Sequence, residues 1–122
     1  MNCKAVIVAL FLLAPLSAQA GDKWDSVDLG LFAGLQALTL VDYAQTRHIA
    51  DNPNRFYERN KILGPHPDAA EVAHYFIARN VLMWGVAEVL PSDFRKLFLG
   101  GSIGLQFYYV QSNYRLGVKL EY

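Results

Sequence analysis

The sequence has one cysteine, Cys3, so no disulfide can close within the chain. Cys3 precedes the first apolar run, which also rules out a lipid anchor of the bacterial lipoprotein kind. Charge is scarce: 18% of residues are charged, less than in ordinary soluble domains, and the formal net charge is zero. There is no basic stripe to neutralise phosphates, so nucleic acid is excluded as a partner. Internal repeats and low-complexity tracts are missing too. No Ser-His-Asp ordering, nucleophile elbow or phosphate-binding glycine loop is present. The glycine-rich stretch Gly100-Gly101-Ser102-Ile103-Gly104 lacks a lysine and lies inside an apolar run, so it reads as a packing face.

What the chain does have is apolar length. Hydrophobic residues make up 53% of 122, enough for one domain at most. Lys4, the apolar run from Ala5 to Ala14, Pro15 and the Ala18-Gln19-Ala20 triplet read as a secretory signal segment over 1–20. An uncleaved membrane helix is the alternative, though the run is short beside the roughly 20 residues a span needs.

Three helices follow, over about 26–50, 68–90 and 92–114. Ser26 is the expected N-cap of the first, with Asp28 in its first turn, where a negative charge suits the helix dipole. Gln36, Thr39, Asp42, Tyr43 and Thr46 recur at three- and four-residue spacing and share one face, while Leu31, Leu35, Leu38 and Val41 take the other. Asp51-Asn52-Pro53-Asn54 ends this helix. The long polar loop after it holds Arg55, Arg59 and Lys61, with one helical turn expected at Tyr57-Glu58-Arg59-Asn60, and Gly64-Pro65-His66-Pro67 forces an extended exit. Asp68 and Glu71 have capping-box spacing at the second helix, whose body carries Arg79, Asn80 and Glu88. Pro91 stops it, and Ser92 is the expected N-cap of the third helix, which carries Gln106 and Asn113 seven residues apart. So short a connection predicts that the second and third helices are antiparallel neighbours.

The fold class expected is therefore all-α: a three-helix, up-down-up transmembrane bundle behind a signal segment. Arg47, Arg55, Arg59, Lys61, Arg115 and Lys119 fall at one end, with only Lys23, Arg95 and Lys96 at the other. The positive-inside rule then places the central loop and the tail in the cytoplasm and the protein in a bacterial inner membrane. A soluble periplasmic bundle is the competing reading. Polar side chains in lipid must find one another, which predicts a network among Gln36, Thr39, Asp42, Thr46, Arg79, Asn80, Gln106 and Asn113. The Gly30/Gly34 and Gly100/Gly104 pairs allow close helix approach, to a protein partner or a second copy.

Asp42, Glu58 and His74 are the candidates for chemistry; the alternative is that Asp42 only ties the first helix to Arg79 or Asn80. Glu71 and His74 have the Glu-x-x-His spacing of a bundle metal site, but a single such motif supplies too few ligands, and no metal or other cofactor is expected. Asp42-x-x-x-Thr46, followed by Glu58-x-Asn60 and Ile62-Leu63-Gly64, resembles a family of small bacterial membrane proteins of unassigned function. These carry an Asp-x-x-x-Thr helix end and a Glu-x-Asn-Pro-x-x-Gly loop. The resemblance runs from about Leu35 to Pro67, with Lys61 in place of the proline. It implies a membrane location and no particular reaction.

Overall fold

Punctuation in the sequence sets where the helices stop. A computed structural model describes residues 22–121. The expected leader lies outside the described residues. Among them there are three helices and no strand: α1 (Ser26–Asp51), α2 (Ala69–Val89) and α3 (Ser92–Arg115). Proline cannot continue a helix, and Pro53 and Pro91 lie just beyond the ends of α1 and α2.

Three local expectations are corrected. The N-cap of α1 is Asp25, not Ser26: Asp25 accepts from the Asp28 amide, and Asp28 accepts from the Asp25 amide, a reciprocal box. Pro91 rather than Ser92 precedes α3, with no side-chain cap. Tyr57 to Asn60 is not helical; its backbone is instead tied to other parts of the loop. At α2, Asp68 caps the Glu71 amide as expected.

α3 ends in a feature the sequence analysis passed over. Gly117 adopts φ +84°, its amide donates to the Tyr114 carbonyl, and the Val118 amide donates to Asn113. This is a Schellman closure, which needs a residue free to enter the left-handed region. Val118 is thereby buried, and the tail returns to α1, where the Glu121 amide donates to the Ala44 carbonyl.

α1 is the central element. It packs most extensively on α3 and less on α2, while α2 and α3 touch least of all. α2 and α3, expected as antiparallel neighbours, are joined at the Pro91 corner but make little contact with each other. Two apolar clusters lie toward opposite ends of the bundle. Phe32, Leu35, Ala87 and Leu99 pack near the Pro91 corner, and Tyr43, Val72, Ala73 and Phe76 pack near the central loop. Leu35 is therefore core, not outer surface. Between the clusters in sequence along α1 and α2 come polar residues: Gln36, Thr39 and Asp42, then Arg79 and Asn80.

The Pro91 corner is fastened by Arg95, which is fully buried. The last carbonyls of a helix have no partner within it and carry the negative end of its dipole. Arg95 meets that need for α2. Its Nε donates to the Ala87 carbonyl at 2.6 Å, and Nη2 donates to Glu88 and Leu90 at 3.2 Å each. It also donates to the Asp22 carbonyl at 2.7 Å and pairs with buried Asp28 at 3.2 Å. Lys96 binds the other Asp28 oxygen and Asp25. Trp24 lies over the guanidinium at 4.9 Å and donates to Glu88. One side chain thus joins the start of α1, the end of α2 and the start of α3.

Of these helices, α1 alone among the described residues is long and apolar enough to cross a membrane, a test that buried core helices also pass. α2 carries Glu71, Arg79 and Glu88, and α3 carries Asp93, Arg95 and Lys96, which lowers their apolar content.

Candidate functional site

Because α2 and α3 make so little contact, a cavity of about 550 Å³ opens at the central-loop end. α1 contributes Asp42 and Thr46, the loop Glu58 to Lys61, α2 Tyr75 and Arg79, and α3 Leu105, Tyr108 and Tyr109.

Its inner wall is a relay across all three helices. Gln106, fully buried, donates through Nε2 to the Asp42 carboxylate at 2.5 Å. Its Oε1 accepts from Arg79 Nη2 at 2.5 Å. An amide suits this place because it offers a donor to the carboxylate and an acceptor to the guanidinium. Arg79 Nη1 also lies 3.6 Å from Asp42. Thr46 donates to the Asp42 carbonyl one turn back, at 2.8 Å. A second chain runs beside it: Arg59 donates to Asn113, Asn113 donates to Gln45, and Gln45 donates to the Val110 carbonyl.

The loop wall is shaped by Asn60. Its Nδ2 donates to the Tyr75 hydroxyl at 2.7 Å, and its Oδ1 accepts from the Ile62 amide at 2.9 Å. Its carbonyl accepts from the Gly64 amide at 3.0 Å, in a turn where Gly64 has φ +80°. Glu58 accepts from the Asn60 amide through Oε1 at 3.0 Å. Its Oε2 is buried without a hydrogen-bond partner among the described residues. Burial pushes the Glu58 carboxyl above the ordinary carboxylate range; backbone hydrogen bonds oppose that shift, and the nearby Asp42 charge adds to it.

Comparison with known protein families, with curated proteins and with solved structures finds no match.

The structure brings together much of the expected network, but as separate groups. Asp42, Thr46, Arg79 and Gln106 form one, and Asn113 belongs to another. Thr39 bonds only back to the Leu35 carbonyl of its own helix, at 2.7 Å. Asn80 is buried, and the Gln36 Oε1 atom has no partner. Of the chemistry candidates, Asp42 and Glu58 line the cavity; His74 is exposed and does not. Glu71 is exposed as well, and among the described residues no three His, Cys, Asp or Glu side chains cluster as metal ligands. Among the described residues the glycine pairs make no close helix approach. At Gly30, Gly100 and Gly104 a methyl group would meet nothing, and at Gly34 it would meet only Ile103 at 3.8 Å.

Sequence reasoning missed Arg95 and Tyr75. Arg95 was readable in principle, as a cation just past a helix C-terminus. Tyr75 carries no local signal, since its partner is 15 residues away.

Proposed function

We infer that the chain is a small integral membrane protein of structural or accessory role, built as a three-helix bundle. One observation carries this reading: polar and ionisable side chains share the interior with the apolar clusters while large apolar side chains face out. Among the buried residues are Asp28, Gln36, Gln45, Asn80, Glu88, Arg95 and Gln106. Among the exposed ones are Leu82 at 67%, Val89 at 68%, Phe94 at 62% and Leu97 at 71%. Burying apolar surface in an apolar medium is worth roughly 25 cal/mol per Å². A protein solvated by water turns its large apolar side chains inward, whereas lipid reverses the preference.

Charge supports an orientation. The central loop and the tail lie at the same end, because Arg59 reaches Asn113 and His48 contacts Glu121. At the opposite end Arg95 and Lys96 are offset by Asp28 and Asp25. The excess of cations thus sits at the loop end, which faces the cytoplasm in this reading. Membership of the small bacterial membrane family that the Asp42, Thr46, Glu58, Asn60 and Gly64 pattern resembles is part of the same proposal. The partner is another apolar membrane helix, which the open surface at Gly30, Gly34, Gly100 and Gly104 admits.

The test is alkaline carbonate extraction of cells carrying a C-terminal reporter. The protein stays in the membrane pellet with the reporter on the cytoplasmic side. Release into the supernatant would favour the soluble periplasmic bundle.

The cavity favours a second reading, a membrane-embedded enzyme or transporter subunit using Asp42 and Glu58. Alanine at either position that spares protein abundance but removes a phenotype would support it. Equal loss of abundance would return both residues to a structural role.

A further inference from the structure

The inner cavity is not uniform. Its buried acceptor is a carboxylate: Glu58 Oε2 is enclosed and has no donor, although Oε1 is satisfied by the Asn60 amide. Asp42, the other carboxylate there, already has Gln106, Arg79 and Thr46. The cations that line the same space from the loop, Arg59 and Lys61, are exposed to water. Arg59 gives one nitrogen to Asn113, and a guanidinium has five N–H donors in all. The remaining wall is apolar and outward-facing: Leu105 is 55% exposed and Tyr108 64%. An occupant that fits carries N–H donors at its buried end, an anion toward water and an apolar flank.

We propose that this cavity takes the headgroup of a phospholipid bearing a primary ammonium beside its phosphate, with the ammonium on Glu58 and the phosphate on Arg59 and Lys61. A primary ammonium supplies three N–H donors, so it satisfies Glu58 Oε2. A quaternary trimethylammonium supplies none and leaves that oxygen unpaired. A glycerol headgroup offers hydroxyl donors but no cation, so its bond to the carboxylate lacks the ion pair's charge assistance. The phosphate meets charge-assisted donors at the rim. The lipid form of this ligand rests on the membrane reading above; the headgroup chemistry does not.

The experiment uses the purified mature chain in detergent and measures binding of phosphatidylethanolamine, phosphatidylcholine and phosphatidylglycerol by native mass spectrometry and thermal shift. Soluble phosphoethanolamine forms a fourth arm. Phosphatidylethanolamine binds at least about tenfold more tightly than phosphatidylcholine, as one charged hydrogen bond gained or lost implies. Glu58→Gln removes that preference without lowering thermal stability. Lys61→Ala weakens all the phospholipids alike and keeps the preference. Equal binding of the ethanolamine and choline lipids overturns the proposal, as does a preference that survives Glu58→Gln. If phosphoethanolamine alone binds as well as the lipid, with the same Glu58 dependence, the headgroup site stands and the lipid as its source is overturned. A mature chain that stays monodisperse without detergent overturns the membrane reading, and the phosphoethanolamine arm then decides the site on its own.

Discussion

Replacing Arg95 by methionine tests how the bundle is fastened. The side chain is fully buried and donates five hydrogen bonds, three of them to carbonyls at the end of α2. Methionine keeps much of the volume and removes every donor. Truncating one partner of a buried ion pair costs about 3–5 kcal/mol, because the other charge is left behind. Here Asp28 keeps Lys96 and the Asp25 amide, which softens that loss. The freed carbonyls of Ala87, Glu88 and Leu90 add to it, at about 1 kcal/mol or more for each that finds no water. The net expectation is about 3–5 kcal/mol, or a fall in Tm of at least about 12 °C for a domain of this size. Thermal unfolding in a mild detergent, followed by circular dichroism, measures it. Arg95→Lys keeps the charge but loses the planar fork, so it falls between wild type and Arg95→Met. A Tm for Arg95→Met within about 4 °C of wild type, roughly 1 kcal/mol, would refute the reasoning.

Three further outcomes are expected. Arg79→Met leaves Asp42 with Gln106 as its main partner and destabilises by about 2–4 kcal/mol, and adding Asp42→Asn recovers part of that loss; a double-mutant cycle in the same thermal assay reads the coupling. Gly64→Ala forces an alanine to the observed φ of +80° and costs about 1–2 kcal/mol, whereas Gly30→Ala, inside α1 where a methyl meets nothing, stabilises the isolated chain by about 0.5–1 kcal/mol. Hydrogen bonding with Asp51 and then His48 holds Glu121 below its ordinary value of 4.5; the bond to Glu121 raises Asp51 in turn and offsets that part, so the His48 contact carries the net dependence on pH. A lowered acid stabilises the folded tail fully above that ordinary value and loses the contribution as pH falls through the lowered one. Hydrogen exchange at residues 118–121 should therefore be slow near about pH 6 and quicken toward about pH 3 relative to the helix cores.

Much of the backbone was legible in the sequence, because proline and turn residues mark the ends. The helices expected over about 26–50, 68–90 and 92–114 formed as Ser26–Asp51, Ala69–Val89 and Ser92–Arg115. The inward face of α1 was also legible: Gln36, Thr39, Tyr43 and Thr46 are buried as their spacing predicts. The suspected tie between Asp42 and Arg79 is present, and Gln106, expected in the same network, links the two. What was not legible depends on how helices sit relative to one another. Helix spacing says nothing of the gap between α2 and α3, yet that gap makes the cavity. Nor does it say that Arg95, counted only as a cation at the end opposite the central loop, would turn in to reach the carbonyls of α2. The loop residues Glu58, Asn60 and Gly64 stood out as a pattern. Their geometry gives Asn60 and Gly64 a structural task and leaves one oxygen of Glu58 without a partner.

The central claim, that lipid solvates the apolar outer faces of α2 and α3, is tested most directly by spin labels in a reconstituted bilayer. Cys3 is the only native cysteine and, where the leader is retained, is replaced by serine, so that Leu82→Cys, Leu97→Cys or Phe107→Cys can each be labelled singly. Labels at these three exposed positions should collide freely with dissolved oxygen and hardly at all with a water-soluble nickel chelate, while a label at exposed Lys61 shows the reverse. Free access of the nickel chelate to Leu82, Leu97 and Phe107 would contradict the account.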